Sequence, residues 1–216
     1  MGRTLPRDFY DAEYPFDADI ETPNLARLWR ALRELEPLAG TTLLDLGCGV
    51  GWATHLAIVR GGVREGVGLD FSRRPLELGR RHTPGALWVH ADGTALPLKD
   101  AAFDRVFSFG SMEHFPDVRR GFDEAVRVLR RGGLMVAVVP NFYVHTDQPL
   151  EFRASYRGWK RLVEAAGFQI LRVKTDRGPA ILKNRKPVRI LTRLVLRLLS
   201  LIPPLRYQFV FVLRKP

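Results

Sequence analysis

At 216 residues, 46% of them hydrophobic and 26% charged, the chain is long enough for one domain with a substantial core and has the balance of a water-soluble globular protein. A single cysteine, Cys48, excludes an intrachain disulfide and points to a reducing compartment. No run of about 18 uncharged apolar residues argues for a spanning helix, and Met-Gly-Arg-Thr-Leu-Pro-Arg-Asp lacks the apolar core of a secretory leader, so a cytoplasmic protein is expected. The formal charge of +11 is uneven: residues 177–216 hold ten Lys or Arg and no acid, which leaves +1 on the first 176. An anionic partner is therefore expected for the tail and not for the whole surface.

In chain order, residues 1–21 are rich in aromatics and acids without a clear period, and residues 1–40 read as a helical lead-in. Thr22-Pro23 has the form of a helix start, and Leu25, Leu28, Trp29, Leu32 and Leu35 then give one apolar face. Thr42–Leu46 reads as a buried strand that opens into glycines spaced G-x-G-x-G (Gly47, Gly49, Gly51) and a helix from Trp52 to Val59. Glu65–Asp70 is a second strand, followed by a helix over Arg73–His82; Ala86–Ala91 is a third strand, ending at Asp92-Gly93. A fourth strand spans Phe103–Gly110. Asp117 caps a helix whose apolar face is Val118, Phe122, Ala125, Val126 and Leu129, with Gly132-Gly133 as its stop. A fifth strand over Leu134–Val139, a helix over Ser155–Ala166 and a sixth strand over Phe168–Val173 complete an alternation that argues for an α/β doubly wound sheet.

The glycine turn is built to bring backbone close to a ligand. Glycine reaches positive φ without strain, and the helix start beyond it offers unpaired N–H groups. A dinucleotide site wants G-x-G-x-x-G, and Trp52 occupies the place of the third glycine. Asp45, at the strand end ahead of the turn, would repel a pyrophosphate but favours a ligand carrying an ammonium and a sulfonium. Asp70 lies nineteen residues beyond Gly51, near the spacing of a second-strand carboxylate that accepts hydrogen bonds from ribose hydroxyls; the alternative is a cap for the following helix. Phe71 could face an adenine ring or belong to the core. Three acids at successive strand ends, Asp45, Asp70 and Asp92, weigh more than one glycine turn.

Leu44-Asp-Leu-Gly-Cys-Gly-Val-Gly51, Gly68-Leu-Asp-Phe-Ser72, Ala91-Asp-Gly-Thr-Ala-Leu-Pro97, the Phe103–Ser108 strand with Met112-Glu-His-Phe-Pro-Asp117, and Leu129–Asn141 together resemble the motifs of the class I S-adenosylmethionine (SAM)-dependent methyltransferases, roughly from Leu43 to Phe168. The resemblance implies a seven-stranded sheet of order 3-2-1-4-5-7-6 with the last strand, around Tyr207–Leu213, antiparallel. It also implies SAM as cofactor and S-adenosylhomocysteine as product. Asp45 would stand near the amino group, with Gly47, Cys48, Gly49 and Gly51 under the cofactor. Asp70 and Phe71 would take the ribose and adenine, Asp92 and Gly93 the adenine amine, and Ser108, Phe109 and Gly110 the methionine side. No metal is expected.

Methyl transfer from a sulfonium is an in-line displacement for which alignment supplies much of the rate, so a strong base is optional. If the acceptor is a hydroxyl, His114 beyond the fourth strand is the candidate base; it could equally shape the turn into the next helix. Tyr143 and His145 are weaker candidates in the loop after the fifth strand, and His55, His82 and His90 read as structural. No Asn-Pro-Pro-Tyr sequence follows the fourth strand, which argues against DNA and protein amide N-methylation as the resemblance would frame it.

Residues 178–206 form a basic, apolar insertion before the last strand. Within 187–203, Arg189, Arg193 and Arg197 recur every fourth residue on an otherwise apolar helix. Over 183–202 such a helix fits peripheral contact with anionic lipid at the inner face of the membrane, a lid over its own domain, or a homodimer contact. The expected function is transfer of a methyl group to an oxygen or carbon of a small-molecule or lipid-linked acceptor by one domain spanning 1–216. RNA methylation and a noncatalytic SAM-binding adaptor are the alternatives; nucleic acid is the less expected partner because the tail is too apolar for a solvated phosphate groove.

Overall fold

The computed structural model describes residues 22–143, 151–176 and 207–216. The lead-in before residue 22, His145 and the insertion that carries Arg189, Arg193 and Arg197 lie outside the described residues.

Helix α1 (Thr22–Leu32) continues into a 3-10 turn at Arg33–Leu35 and buries Leu32 and Leu35. Strand β1 (Thr42–Leu46) is buried at every residue. After it come α2 (Trp52–Val59), β2 (Glu65–Asp70), α3 (Arg73–His82), β3 (Leu87–His90) and β4 (Phe103–Phe109). A 3-10 turn at Met112–His114 precedes α4 (Val118–Val128), β5 (Leu129–Pro140), α5 (Tyr156–Ala165), β6 (Gln169–Asp176) and β7 (Gln208–Arg214).

The described strands form one seven-stranded sheet of order β3-β2-β1-β4-β5-β7-β6. Every pair from β3 to β5 is parallel, and β7 runs antiparallel between β5 and β6. Alternation along each strand fills two cores. Leu44, Leu46, Phe209 and Phe211 face α4 and α5 with Phe122 and Trp159, while Leu43, Val210 and Val212 face α1 and α2. The order reverses between β1 and β4, so their C-terminal ends diverge and open the crevice in which such sheets bind ligands. Arg27 of α1 ties the far side of this edge together: it pairs with Asp176, donates to Gln208 Oε1, and lies 4.7 Å over the Phe109 ring.

Expected boundaries move at two strands: β5 begins at Leu129 and not Leu134, and β6 runs to Asp176 and not Val173. Gly132-Gly133 do not stop α4; the helix ends at Val128 and Leu129 is already extended (φ −72°, ψ 142°). Residues 130–133 form a bulge in β5, where Gly132 takes φ +76° and exchanges backbone hydrogen bonds with Lys215 through Gly132 N–H and Gly133 C=O. Among the described residues, no helix is long and apolar enough to cross a membrane.

Candidate functional site

The site is assembled where β1, β2 and β4 end. At the β1 end the chain needs positive φ three times: Gly47 (+73°), Gly49 (+54°) and Gly51 (+76°). Gly47 and Cys48 donate their N–H groups to Leu69 O at 2.8 and 2.9 Å, which fixes the turn against β2. Ser111 Oγ, just past β4, donates to Gly47 O at 2.7 Å and fastens the other side. The three glycines are not equivalent. A Cβ on Gly49 would meet nothing within 4 Å, whereas one on Gly51 would lie 2.1 Å from Trp88 Cη2 and one on Gly47 2.4 Å from Ser111 Cβ. Gly49 is thus the glycine that leaves room for a ligand, and the outer two let protein pack.

Asp70, at the end of β2, binds the turn from the other side. Its Oδ2 accepts from Gly49 N–H and its Oδ1 from Ser72 N–H, both at 2.8 Å. Ser72 occupies the N-cap position of α3 without a side-chain cap bond, so the Asp70 carboxylate shapes both the turn and the helix start. Phe71 is half-buried beside it, and its carbonyl is held by His90 Nε2 at 2.8 Å. Asp92 accepts from Thr94 N–H and Oγ1, both at 2.8 Å, and folds its own loop. Gly93 admits the Phe115 ring, which would lie 2.3 Å from a Cβ there.

Asp45 is 2% exposed and accepts from Thr54 N–H at 3.0 Å and Thr54 Oγ1 at 2.8 Å. Burial pushes its carboxyl up to about 7, and the Asp70 charge adds to the effect. Among the described residues no cation contributes to its ionisation. Cys48 tucks its sulfur toward Gly68, and burial, with the charges of Asp45 and Asp70, keeps it a thiol. Open space over Gly49 thus lies beside two carboxylates, Asp45 and Asp70.

On the β4 side, Ser108 is fully enclosed in the strand, while Phe109 and Gly110 are partly exposed at its end. His114 closes the 3-10 turn that follows, half-buried, and Tyr143 stands exposed after β5. Beside His114 lies a group the sequence reading left in the turn: Glu113, 3% exposed, whose carboxyl burial pushes up to about 8 with help from the Glu151 charge. Glu113 and Glu151 are 38 positions apart, so only the docking of the post-β5 segment onto the turn, through Phe152 N–H to Glu113 O at 2.8 Å, brings them together. Trp88 was also missed. Its indole fills the space of three absent side chains, at Gly51, Gly68 and Gly79, a signal visible in sequence only as glycines at unrelated positions. His55 and His82 do serve structure: both reach Thr83 Oγ1, His82 Nε2 holds Val50 O at 2.6 Å, and the His82 ring stacks on Trp52 at 4.4 Å.

Residues 44–137, a little under half of the chain, match the family described as Methyltransferase domain. This segment is similar to methyltransferase domains. The demethylmenaquinone methyltransferase of Clavibacter sepedonicus is 41% identical over 116 residues, covering 51% of this chain and 46% of that protein. Among solved structures, a chain from the complex between the Haloferax volcanii Trm112 methyltransferase activator and a methyltransferase superposes with a TM-score of 0.78 at 21% identity, covering 97% of each chain. A geranyl diphosphate methyltransferase solved with geranyl diphosphate and sinefungin has a TM-score of 0.71 at 18% identity, covering 88% of this chain and 78% of that one. At those identities the structures speak for the fold. The chain spans about half the length of the curated relatives it matches.

The glycine turn carries a pH dependence. The Asp45 carboxyl is raised from 3.8 to about 7 in the ligand-free protein, so it holds its proton below that pH and is anionic above it. A cationic ligand binds the anion, so affinity for S-adenosylhomocysteine should weaken roughly tenfold between pH 8 and pH 6, with proton release on binding near neutrality. Because the folded value exceeds the unfolded one, the same group favours folding fully below about pH 4 and loses that contribution as the pH rises through about 7. Calorimetric titration in buffers of different ionisation enthalpy checks both the trend and the proton count.

Proposed function

We propose that this chain transfers a methyl group from SAM to an oxygen or carbon of a small, lipophilic or lipid-linked acceptor. The observation that carries the cofactor half is Asp45, a buried acid that no cation faces among the described residues, placed beside an open Gly49 and the Asp70 carboxylate. For the acceptor half, support comes from relatives named for demethylmenaquinone and geranyl diphosphate, both isoprenoid molecules. When bound, SAM supplies an electrophilic methyl on a sulfonium with a neutral thioether as leaving group.

The residues then divide the work by position. The Gly47–Gly51 backbone and Asp70 hold one side of the ligand and Asp45 its ammonium. Phe71, Asp92 and Gly93 flank the base, and Phe109 and Gly110 stand at the methionine side with Ser108 behind them. His114, at the C-terminal edge beyond β4, is the proposed acceptor of a proton when the acceptor atom is a hydroxyl oxygen. The basic helix expected over 183–202 would bring the enzyme to an anionic membrane surface, where a lipid-linked acceptor resides.

Incubation with SAM labelled in its methyl group and a panel of quinol and phenol acceptors carrying isoprenoid tails should move label into the organic extract. Flotation with anionic liposomes should be salt-sensitive and lost when Arg189, Arg193 and Arg197 are changed together to Glu. Label appearing only in added RNA, with no flotation, would overturn the acceptor assignment.

A further inference from the structure

Two buried carboxylates and an imidazole meet at the C-terminal edge of β4 and β5. One ligating atom from each of Glu113, His114 and Glu151 lies within 4.8 Å of the other two. Glu113 and Glu151 are only 3% and 7% exposed, an arrangement that two like charges in a poorly solvated place do not favour by themselves. Independently of the cluster, Glu113 Oε2 is enclosed and has no hydrogen-bond partner among the described residues. A buried carboxyl oxygen left without a partner is costly, and a cation is a ligand that relieves it.

The three side chains are also held in place. The 3-10 turn carrying Glu113 and His114 hangs from Ser111, whose Oγ donates to Gly47 O. The segment carrying Glu151 is docked by Phe152 N–H on Glu113 O and by the Phe152 ring packed edge-on against Trp159, 5.3 Å between centroids. Trp159 is itself fully buried and bonded through Nε1 to Pro140 O at 2.8 Å. The cluster is therefore built from a rigid frame, not from mobile surface acids.

We propose that Glu113, His114 and Glu151 form a binding site for one divalent first-row cation of the Mn2+ or Zn2+ type. Two carboxylates and one imidazole are a mixed oxygen–nitrogen set suited to such ions. Metal–ligand bonds of about 2.1 Å place donor atoms at most about 4.2 Å apart, so the present spacing needs only a small inward shift of the side chains. The ion's use rests on the methyltransferase reading: open coordination positions at this edge would grip an acceptor oxygen or phosphate beside the methyl donor. With the ion bound, His114 serves as a ligand and not as a base.

The test uses the full chain, stripped with chelator and dialysed, and compares wild type with Glu113→Gln and Glu151→Gln. Titration with Mn2+, and separately with Zn2+, should give one site per wild-type chain for at least one of the ions, a rise in melting temperature on binding, and at least 30-fold weaker binding in each variant. Ion-free Glu113→Gln should melt no lower than wild type, because the amide is close in shape to the carboxyl it replaces, which shows that lost binding is not lost folding. Wild type that binds neither ion more tightly than the Glu113→Gln, Glu151→Gln double variant would overturn the site. S-adenosylhomocysteine binding, read by calorimetry on the same samples, keeps the two ideas apart. Its absence with metal binding intact removes the proposed purpose of the ion, and its presence without metal binding removes the metal site alone.

Discussion

Gly51→Ala should cost on the order of 3–5 kcal/mol and lower the melting temperature by about 10 °C or more. Gly51 takes φ +76°, where an alanine is strained by roughly 1 kcal/mol. The larger part is steric. The new Cβ would fall 2.1 Å from Trp88 Cη2, and that indole cannot retreat, because Gly68 and Gly79 already admit it at 2.7 and 2.5 Å from their own absent Cβ positions. Trimming the ring should therefore rescue: Gly51→Ala combined with Trp88→Leu is expected to recover much of the loss. Gly49→Ala is the contrasting case. Its φ of +54° costs about as much backbone strain, but its Cβ meets nothing, so stability should fall by only about 1 kcal/mol while affinity for S-adenosylhomocysteine drops tenfold or more. Thermal denaturation followed by circular dichroism, with calorimetric binding on the folded variants, separates a packing glycine from a ligand glycine. Equal destabilisation by the two alanines would contradict this division.

Asp70→Ala should weaken S-adenosylhomocysteine binding by 100-fold or more, about 2.7 kcal/mol or above. Two losses combine. The carboxylate that would accept ribose hydroxyls disappears, and Gly49 N–H and Ser72 N–H lose their shared acceptor, so the turn and the start of α3 lose their common tie. Asp70→Asn keeps one acceptor oxygen for one of those two donors and should lose less, roughly tenfold. The melting temperatures of both variants report how much of the effect is turn structure. Unchanged affinity in the alanine variant would remove Asp70 from the cofactor site, whatever its role in the turn.

What could be read from the sequence was local or periodic. The strand–turn–helix at Thr42–Val59 announces itself by an apolar run, an acid and spaced glycines, and the amphipathic helices by their apolar faces; the structure places them as expected. The position of β7 between β5 and β6 came from resemblance alone, since no local pattern dictates which edge a final strand joins. Gly132-Gly133 misled because glycine both ends helices and permits bulges, and the choice was made by Lys215, far away in sequence, pairing with that bulge. Asp45 was legible as an acid at a strand end, but its raised pKa depends on burial and on Asp70 nearby, against two Thr54 hydrogen bonds that lower it. The Glu113–Glu151 contact and the Trp88 slot depend on segments that meet only after the sheet forms.

The most direct measurement is calorimetric titration of the wild-type chain with S-adenosylhomocysteine at pH 8, beside an identical titration with NAD+. A site made of Asp45, an open Gly49 and Asp70 should saturate with one S-adenosylhomocysteine per chain at micromolar concentration and give no heat with NAD+, whose pyrophosphate meets two carboxylates. Binding of NAD+, or of neither ligand, would contradict the account of this turn as a SAM site.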